Sequence, residues 1–420
     1  MFYIIENLDQ LQSLKNLNYK EAYIEVIPYS PLSHPVETNV SLVYIRPLHS
    51  LKGYILSINH SETMCLNSEY IEELIKQYKT LYVWGKKDFL HFYIHNNIID
   101  LSLSSPKYQK ENTISHNIIE NRYRDNLKLN LLIPIVKHYE ACEKNYSNLK
   151  QYINEPTNKF YNNRVPLVFN SIERNGLRVD PLLFEDYFNK PNQNIIYTQY
   201  NYNTTTTRPS NRFGGVNFAA LNKEDGCRKS FIPRNDNFIE IDISAYHPTL
   251  LSHLIGYKFN TKDIHQSFAK MYKVDYKKAK ELTFKQLYGG IFKQYKHLEF
   301  FKKTQEYVDN LWGDFQNKGF IECPISNYKF NRDKLEEMNP QKLLNYLLQA
   351  YETSQNVLIL WDIIKILKNK KTKLILYTYD SFLLDFNKED SDSLTKIRNI
   401  FSKYNLNIKE KQGSNYHNIS

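Results

Sequence analysis

The sequence predicts an α+β chain that opens with an α/β domain, and three observations carry this expectation. Strand-like runs alternate with helical periods between about residues 20 and 105. Two later apolar strands, FIEIDIS and KLILYTYD, each run into an aspartate, and SFLLDF follows the second at once. Long helical periods fill much of the remainder, the longest being PQKLLNYLLQAYETSQNVLILWDIIKIL.

Taken in order, AYIEVIPY reads as a strand, and SLVYIRPL and GYILSIN read as a hairpin joined by HSLKG. A helix begins at about Ser68, followed by the short apolar strand LYVW. The polar stretch SSPKYQKENTISHN reads as a loop, and residues 126–190 as mostly helical. Between about 190 and 215 the chain turns polar, which suits a disordered linker or an arginine-bearing substrate loop. The strand FIEIDIS leads into helices that run to about residue 317. GFIECPISNYKF is hairpin-like and precedes the longest helix. KNKKTK reads as a solvated turn before the last two strands, after which come a helix and the tail KEKQGSNYHNIS.

Composition narrows the function classes. The chain has 420 residues, 41% of them hydrophobic and 24% charged, which is ample for two or three domains. No apolar run is long enough to span a bilayer, and MFYIIENLDQLQS lacks the features of a signal peptide. The expectation is therefore a cytoplasmic protein without membrane contact. Cys65, Cys142, Cys227 and Cys323 lie far apart and form no CxxC pair, which argues against a zinc ribbon or a disulfide scaffold. Lys and Arg total 55 against 45 Asp and Glu, a formal charge of +10. That excess suits a polyanionic partner and equally a basic enzyme with none. The 34 tyrosines can stack on bases as readily as fill cores.

The residues with chemistry lie at two strand ends and on one helix between them. In FIEIDISAYHP, Ile239, Ile241 and Ile243 alternate with Glu240 and Asp242; in KLILYTYDSFLLDF the apolar run breaks at Tyr379, Asp380 and Ser381. Two carboxylates converging from adjacent strand ends could hold a pair of divalent cations for an in-line phosphoryl transfer. Taken alone, Asp242 equally suits a helix N-cap and Asp380 a hairpin turn. In YKKAKELTFKQLYGG, Tyr276, Lys280, Phe284 and Tyr288 recur every four residues and form one helical stripe. A lysine in such a stripe can grasp a triphosphate while a base stacks nearby, or simply snorkel from an amphipathic helix.

Further segments fall in a consistent order: VPLVFNSIERNGLRVD, NRFGGVNFAALN, CRKSFIPRNDNFIEIDISAYHPTLLSHLIG, DIHQSFAKMY, NKGFIECPISNYKF, LLNYLLQ and GSNY. From about residue 165 onward this order resembles a family A DNA polymerase, the class of bacterial DNA polymerase I, in a compact phage-like form. The resemblance implies a right-hand fold of palm, fingers and reduced thumb behind an N-terminal exonuclease-like domain. Its implied boundaries are 1–145 for the exonuclease-like domain, 146–210 for the thumb and connecting loop, and 211–420 for the palm. The fingers would be inserted at about 260–330.

By the same resemblance, the reaction is template-directed addition of dNTPs to a primer 3′-hydroxyl. Two Mg²⁺ ions, with Mn²⁺ as a substitute, would sit on Asp242, Asp380 and the Ile243 carbonyl. Lys280 would hold the triphosphate and protonate the departing pyrophosphate, with Lys277 supplying charge where the family has an arginine at the position of Tyr276. Phe284 and Tyr288 would flank the nascent base pair, and Phe284 implies discrimination against dideoxynucleotides. Arg212, Asn222, Asn345, Gln349 and Tyr379 would meet primer–template DNA. The protein would be a monomer, with a processivity factor or helicase as further partners.

The chain departs from the family pattern at several positions. The motif A glutamate that excludes a ribose 2′-hydroxyl falls on His247, which raises a ribonucleotide-tolerant polymerase as an alternative. Motif C reads Tyr379-Asp380-Ser381 in place of His-Asp-Glu, and Asp385 lacks the spacing to replace the lost carboxylate. That loss raises a second alternative, a catalytically inactive primer–template-binding protein. In the N-terminal domain Glu25 stands alone where proofreading nucleases carry Asp-x-Glu. Asp88, Asp100 and Glu140 or Glu143 are the remaining acids, so the expectation is a domain without nuclease activity. Little chain separates Asp180 from Arg212, which implies a short thumb and low processivity.

Overall fold

Strands that are apolar on both faces need cover on both, and the N-terminal unit is built on that requirement. The structure is a computed structural model that describes residues 3–31, 33–104, 129–190, 193–212 and 216–419. Two units pack separately, Met1–Arg174 and Asn175–Ser420. The first contains β1 (Tyr3–Ile5), α1 (Leu8–Asn16), β2 (Glu21–Pro28), β3 (Val40–Pro47), β4 (Tyr54–Ser57), α2 (Ser68–Gln77), β5 (Thr80–Val83), α3 (Lys86–Phe89) and β6 (Ile98–Asp100). After these come α4 (Ile135–Leu149), α5 (Lys159–Asn163) and α6 (Val165–Asn175).

The six strands form one sheet in the order β1-β4-β3-β2-β5-β6, antiparallel at β2–β3 and β3–β4 and parallel elsewhere. Ala22, Ile24, Val43 and Ile45 pack on one face with Leu11 and Leu14 of α1 and Ile71, Leu74 and Ile75 of α2. Tyr23, Ile27, Leu42 and Tyr44 face the other way, onto Ile135, Cys142 and Leu149 of α4. The expected α/β domain is thus a three-layer sandwich. At its edge a side chain on Gly53 would come within 2.5 Å of the buried Tyr44 ring and 2.7 Å of Glu143. Tyr44 and Arg46 both donate to that carboxylate, so neither is able to move aside cheaply. Gly53→Ala is expected to cost about 1–3 kcal/mol, the usual range for overpacking, read as a lowered midpoint of chemical denaturation.

The second unit contains β7 (Leu177–Arg178), α7 (Pro181–Phe188), β8 (Ile195–Ile196), β9 (Gln199–Asn201), β10 (Ser210–Arg212), β11 (Asn237–Ile243), α8 (Tyr246–Leu254), α9 (Ile264–Tyr272), α10 (Tyr276–Gly289) and α11 (Glu299–Lys318). Then follow β12 (Phe320–Glu322), β13 (Lys329–Asn331), α12 (Pro340–Ile366), β14 (Lys373–Thr378), β15 (Ser381–Phe386), α13 (Ser391–Lys403) and β16 (Ile408–Gly413). Its central sheet is antiparallel throughout, in the order β14-β15-β11-β16. Phe382 meets Phe401 of α13 on one face, and Asn356 of α12 donates to the Tyr377 hydroxyl. On the opposite face Phe238 and Leu383 join Phe184 of α7, Phe231 and Tyr416. Beyond the sheet, α9 and α11 share an aromatic core of Phe268, Tyr272, Phe300 and Phe301.

Two sequence expectations change here. The tail after the last helix contains a strand, β16, whose side chains along Ile408–Gly413 are mostly exposed and charged. An edge strand needs no apolar alternation, so the sequence pattern leaves it unmarked. The polar stretch at 190–215 is partly ordered as β8, β9 and β10. Its anchor is the buried Tyr200, whose hydroxyl donates to the Tyr377 carbonyl and accepts from the Tyr377 amide. The SSPKYQKENTISHN loop falls almost wholly outside the described residues. No helix among those described is long and apolar enough to cross a membrane.

Candidate active site

The register of β11 against β15 brings the two strand-end aspartates together. Asp242 pairs with Ser381, so the two-residue turn holding Asp380 lies beside the end of β11, where the Ile243 amide donates to the Asp380 carbonyl at 2.9 Å. Asp242 is no helix cap: Ala245, at φ +49°, occupies that position before α8. Tyr379 also has a positive φ, +58°, an unusual conformation for a bulky residue. It is held there by Asn356, which donates to its carbonyl at 2.8 Å, and by the Arg208 guanidinium 3.8 Å from its ring centroid.

Like charges crowd this corner. Burial, then Asp380 and Glu240, push the Asp242 carboxyl up to about 6, with Lys409 and Lys280 opposing. Loss of surrounding solvent, and next the Glu352 carboxylate, raise Asp380 above the ordinary range. Glu240, two residues before Asp242, accepts from the Ser381 hydroxyl at 2.8 Å. A third carboxylate thus reaches the site from β11, although the turn between β14 and β15 supplies Asp380 alone. Asp385 is engaged elsewhere, accepting from the backbone amides of Arg234 and Asn235. Hard oxygen donors in mutual repulsion are the chemistry that a Mg²⁺-type cation relieves, so this donor set fits such ions.

The charge crowding has a measurable consequence. Because the folded-state pKa of Asp242 is raised, the folded protein holds a proton that the unfolded chain releases between about pH 4 and pH 6. The metal-free protein is expected to lose stability as pH rises through that window. Asp242→Asn should lack this component, and Mg²⁺ should reverse it in the wild type. Thermal melts of both proteins across the window, with and without Mg²⁺, check all three outcomes.

Helix α10 presents the predicted stripe on its open side. Asp275 caps it by accepting from the Lys278 amide, and Ala279, Thr283, Gln286 and Leu287 are buried along its inner side. Lys277, Lys280 and Tyr288 are exposed and Phe284 half-buried, and the Phe284 and Tyr288 rings stack 6.1 Å apart at 17°. Lys280 is near enough to stabilise the charge on Asp242 and, after burial, to hold His265 below its ordinary pKa. The stripe and the two aspartates therefore share one site.

At the far end of the stripe, His247 Nδ1 hydrogen-bonds the Tyr288 hydroxyl at 2.6 Å, and its Nε2 contacts Glu352 on α12. Arg208 reaches the same carboxylate at 3.2 Å. Glu352 is 1% exposed, and the histidine and arginine hold its pKa below the usual value against the effect of burial. Sequence reasoning missed Glu352, Arg208 and Glu240. A signal for the first was Glu352-Thr353-Ser354-Gln355-Asn356, five polar residues in succession in the middle of the longest helix, all of them buried.

The expected DNA-contacting residues are placed less compactly. Gln349 donates to Asn345 one helical turn away and accepts from the Thr206 hydroxyl. Asn222 is exposed and accepts from the Glu224 amide. Arg212 ends β10, and its side chain lies outside the described residues.

The N-terminal acids all have structural partners. Glu25 accepts from the Tyr23 hydroxyl at 2.6 Å and from Asn145, and burial pushes it up to about 7. Asp88 pairs with Lys87, and Asp100 accepts from the amides of Gly85, Lys86 and Ser102. Glu140 pairs with Lys137, and Glu143 with Arg46. His34, His91 and Glu173 cluster closely enough to suggest a metal cage. However, the His34 Nδ1 accepts from the Val36 amide, which puts the ring proton on the Nε2 that faces Glu173. Lys87 and His91 bond that carboxylate as well, so the cluster is a hydrogen-bonded network around one buried acid.

No protein-family model matches the sequence, and no curated protein is detectably similar to it. Among solved structures, the chain is similar to the POL domain of Pol1 from M. smegmatis in complex with DNA primer-template and dNTP. That match has a TM-score of 0.72, covers 99% of each chain and carries 10% sequence identity. At such identity the likeness is one of fold, and the fold is that of a DNA polymerase domain.

Proposed function

We propose that the chain is a template-directed DNA polymerase of family A, extending a primer 3′-hydroxyl with dNTPs and lacking proofreading. The observation that carries this reading is the convergence of Asp242, Asp380 and the Lys280–Phe284–Tyr288 stripe on one open site. Two Mg²⁺ ions on Asp242, Asp380 and the Ile243 carbonyl, with Mn²⁺ as a substitute, would stabilise charge on the attacking and leaving oxygens. Lys280 binds the triphosphate and holds the proton that the pyrophosphate oxygen takes. Phe284 and Tyr288 exclude water from one side of the new base pair, and Lys277 adds positive charge at the triphosphate end. Asn345, Gln349, Arg212, Asn222 and Tyr379 orient primer and template.

In this reading residues 1–145 are a degenerate exonuclease-like domain, 146–210 a reduced thumb, and 211–420 the palm, with fingers at about 260–330. Support for the first comes from β2, where Tyr23 stands two residues before Glu25 and bonds it in place of a second carboxylate. Primer extension on a defined template with Mg²⁺ and four dNTPs tests the reading. Products that follow the template support it. Primer–template binding that weakens with salt but yields no product would favour the inactive binding protein instead.

A further inference from the structure

Each aspartate of the site stands close to a residue with left-handed backbone. Ala245, at φ +49°, carries the chain from the end of β11 into α8, and Tyr379, at φ +58°, immediately precedes Asp380. Tyr379 is the first of the two residues between β14 and β15, and hairpins normally give a positive φ at that place to glycine. A bulky residue keeps such a conformation only where its surroundings over-determine it. Strand register does not reach so far. The last pair of β11 with β15 is Asp242 with Ser381, and the last pair of β14 with β15 is Thr378 with Ser381.

One buried amide grips both places. Asn356, within α12, is 0% exposed. Its Oδ1 accepts from the Tyr246 hydroxyl at 2.7 Å, and its Nδ2 donates to the Tyr379 carbonyl and to the Tyr377 hydroxyl, each at 2.8 Å. The Tyr379 carbonyl can only accept, which fixes the orientation of the amide. Tyr246 opens α8 directly after Ala245. The Tyr379 carbonyl shares a rigid peptide plane with the Asp380 amide, so holding it also holds the backbone from which the Asp380 carboxylate projects. Asn356 thus ties the segment leaving Asp242 to the segment arriving at Asp380.

We propose that Asn356 is a positioning residue for the metal pair, setting the separation of Asp242 and Asp380 so that both carboxylates reach the same two divalent cations. The inference rests on the polymerase reading above. Asn356 acts through Tyr246 and the Tyr379 carbonyl, not by touching metal or substrate.

The test is Mn²⁺ binding to the full chain, read from the loss of the free-ion EPR signal, together with the Mg²⁺ concentration that half-saturates primer extension. Neither affinity depends on the fraction of protein that is folded, so a merely structural role would leave both unmoved. Asn356→Leu keeps the approximate size of the side chain and removes its hydrogen bonds. It is expected to weaken both affinities by about 10- to 100-fold, the usual loss when a group that orients metal ligands is removed. Tyr377→Phe breaks the bond of Asn356 that leads to neither aspartate, and should lower the melting temperature with both affinities unchanged. Tyr246→Phe deletes only the hydroxyl on the Asp242 side and decides the matter if the leucine variant does not fold. It should weaken both affinities by about three- to tenfold, the share of one hydrogen bond. Wild-type metal affinity in Asn356→Leu or in Tyr246→Phe, or equal weakening in Tyr377→Phe, overturns the inference and leaves the polymerase reading standing. No extension by the wild type overturns the polymerase reading, and Mn²⁺ binding, which needs no turnover, then still decides whether Asn356 sets the spacing of the aspartates.

Discussion

Replacing Asp242 or Asp380 with asparagine is expected to lower primer extension by at least about a thousandfold, since several kcal/mol of metal-borne charge stabilisation corresponds to that many decades. Asparagine keeps the shape of the side chain and one oxygen, so the loss would come from charge alone. The fold should tolerate the change. Asp242 is held in the company of Asp380 and Glu240, and removing one negative charge from that group relieves repulsion. Primer–template affinity, measured by fluorescence anisotropy, should therefore stay close to that of the wild type while product formation disappears. Extension within tenfold of the wild type in either variant would remove that aspartate from the reaction.

Lys280→Ala is expected to cost about a hundred- to a thousandfold in kcat/KM for dNTP, the usual loss when one preorganised cationic or hydrogen-bonding group is removed from a phosphoryl-transfer site. Lys280 lies on the exposed side of α10, while the residues that hold the helix in place, Ala279, Thr283 and Leu287, are buried on its inner side. Thermal stability should thus be unaffected. Lys280→Arg keeps the charge but changes its geometry and its ability to release a proton. It should restore KM more fully than kcat. Equal recovery of both parameters would mean that the lysine binds the triphosphate without handling a proton.

The parts of the site that were legible in the sequence are those tied to regular periodicity. Asp242 and Asp380 interrupt alternating strands, and Lys280, Phe284 and Tyr288 recur at the spacing of one helical face, so both patterns survive without any tertiary information. The rest depends on contacts that no local pattern encodes. Arg208 lies in a polar stretch that resembles linker composition, and only its pairing with Glu352 gives it a role. Glu240 reads as the outward residue of an alternating strand until Ser381 is brought against it. The N-terminal sandwich was legible from strand–helix alternation, whereas β16 was hidden because its charged residues follow no apolar period.

The sheet around β11 also dictates how the protein must fold. Phe238 pairs with Asp385 on one side and with Gly413 on the other, so both neighbours of the strand carrying Asp242 come from far along the chain. Closing such distant pairings costs loop entropy before any contact repays it, and a topology of this kind folds slowly. Until β15 and β16 arrive, β11 exposes an apolar face and two unpaired edges, the surfaces through which partly folded chains aggregate. Renatured protein should accordingly regain activity only with its slowest kinetic phase, and in a yield that falls as the protein concentration during refolding is raised.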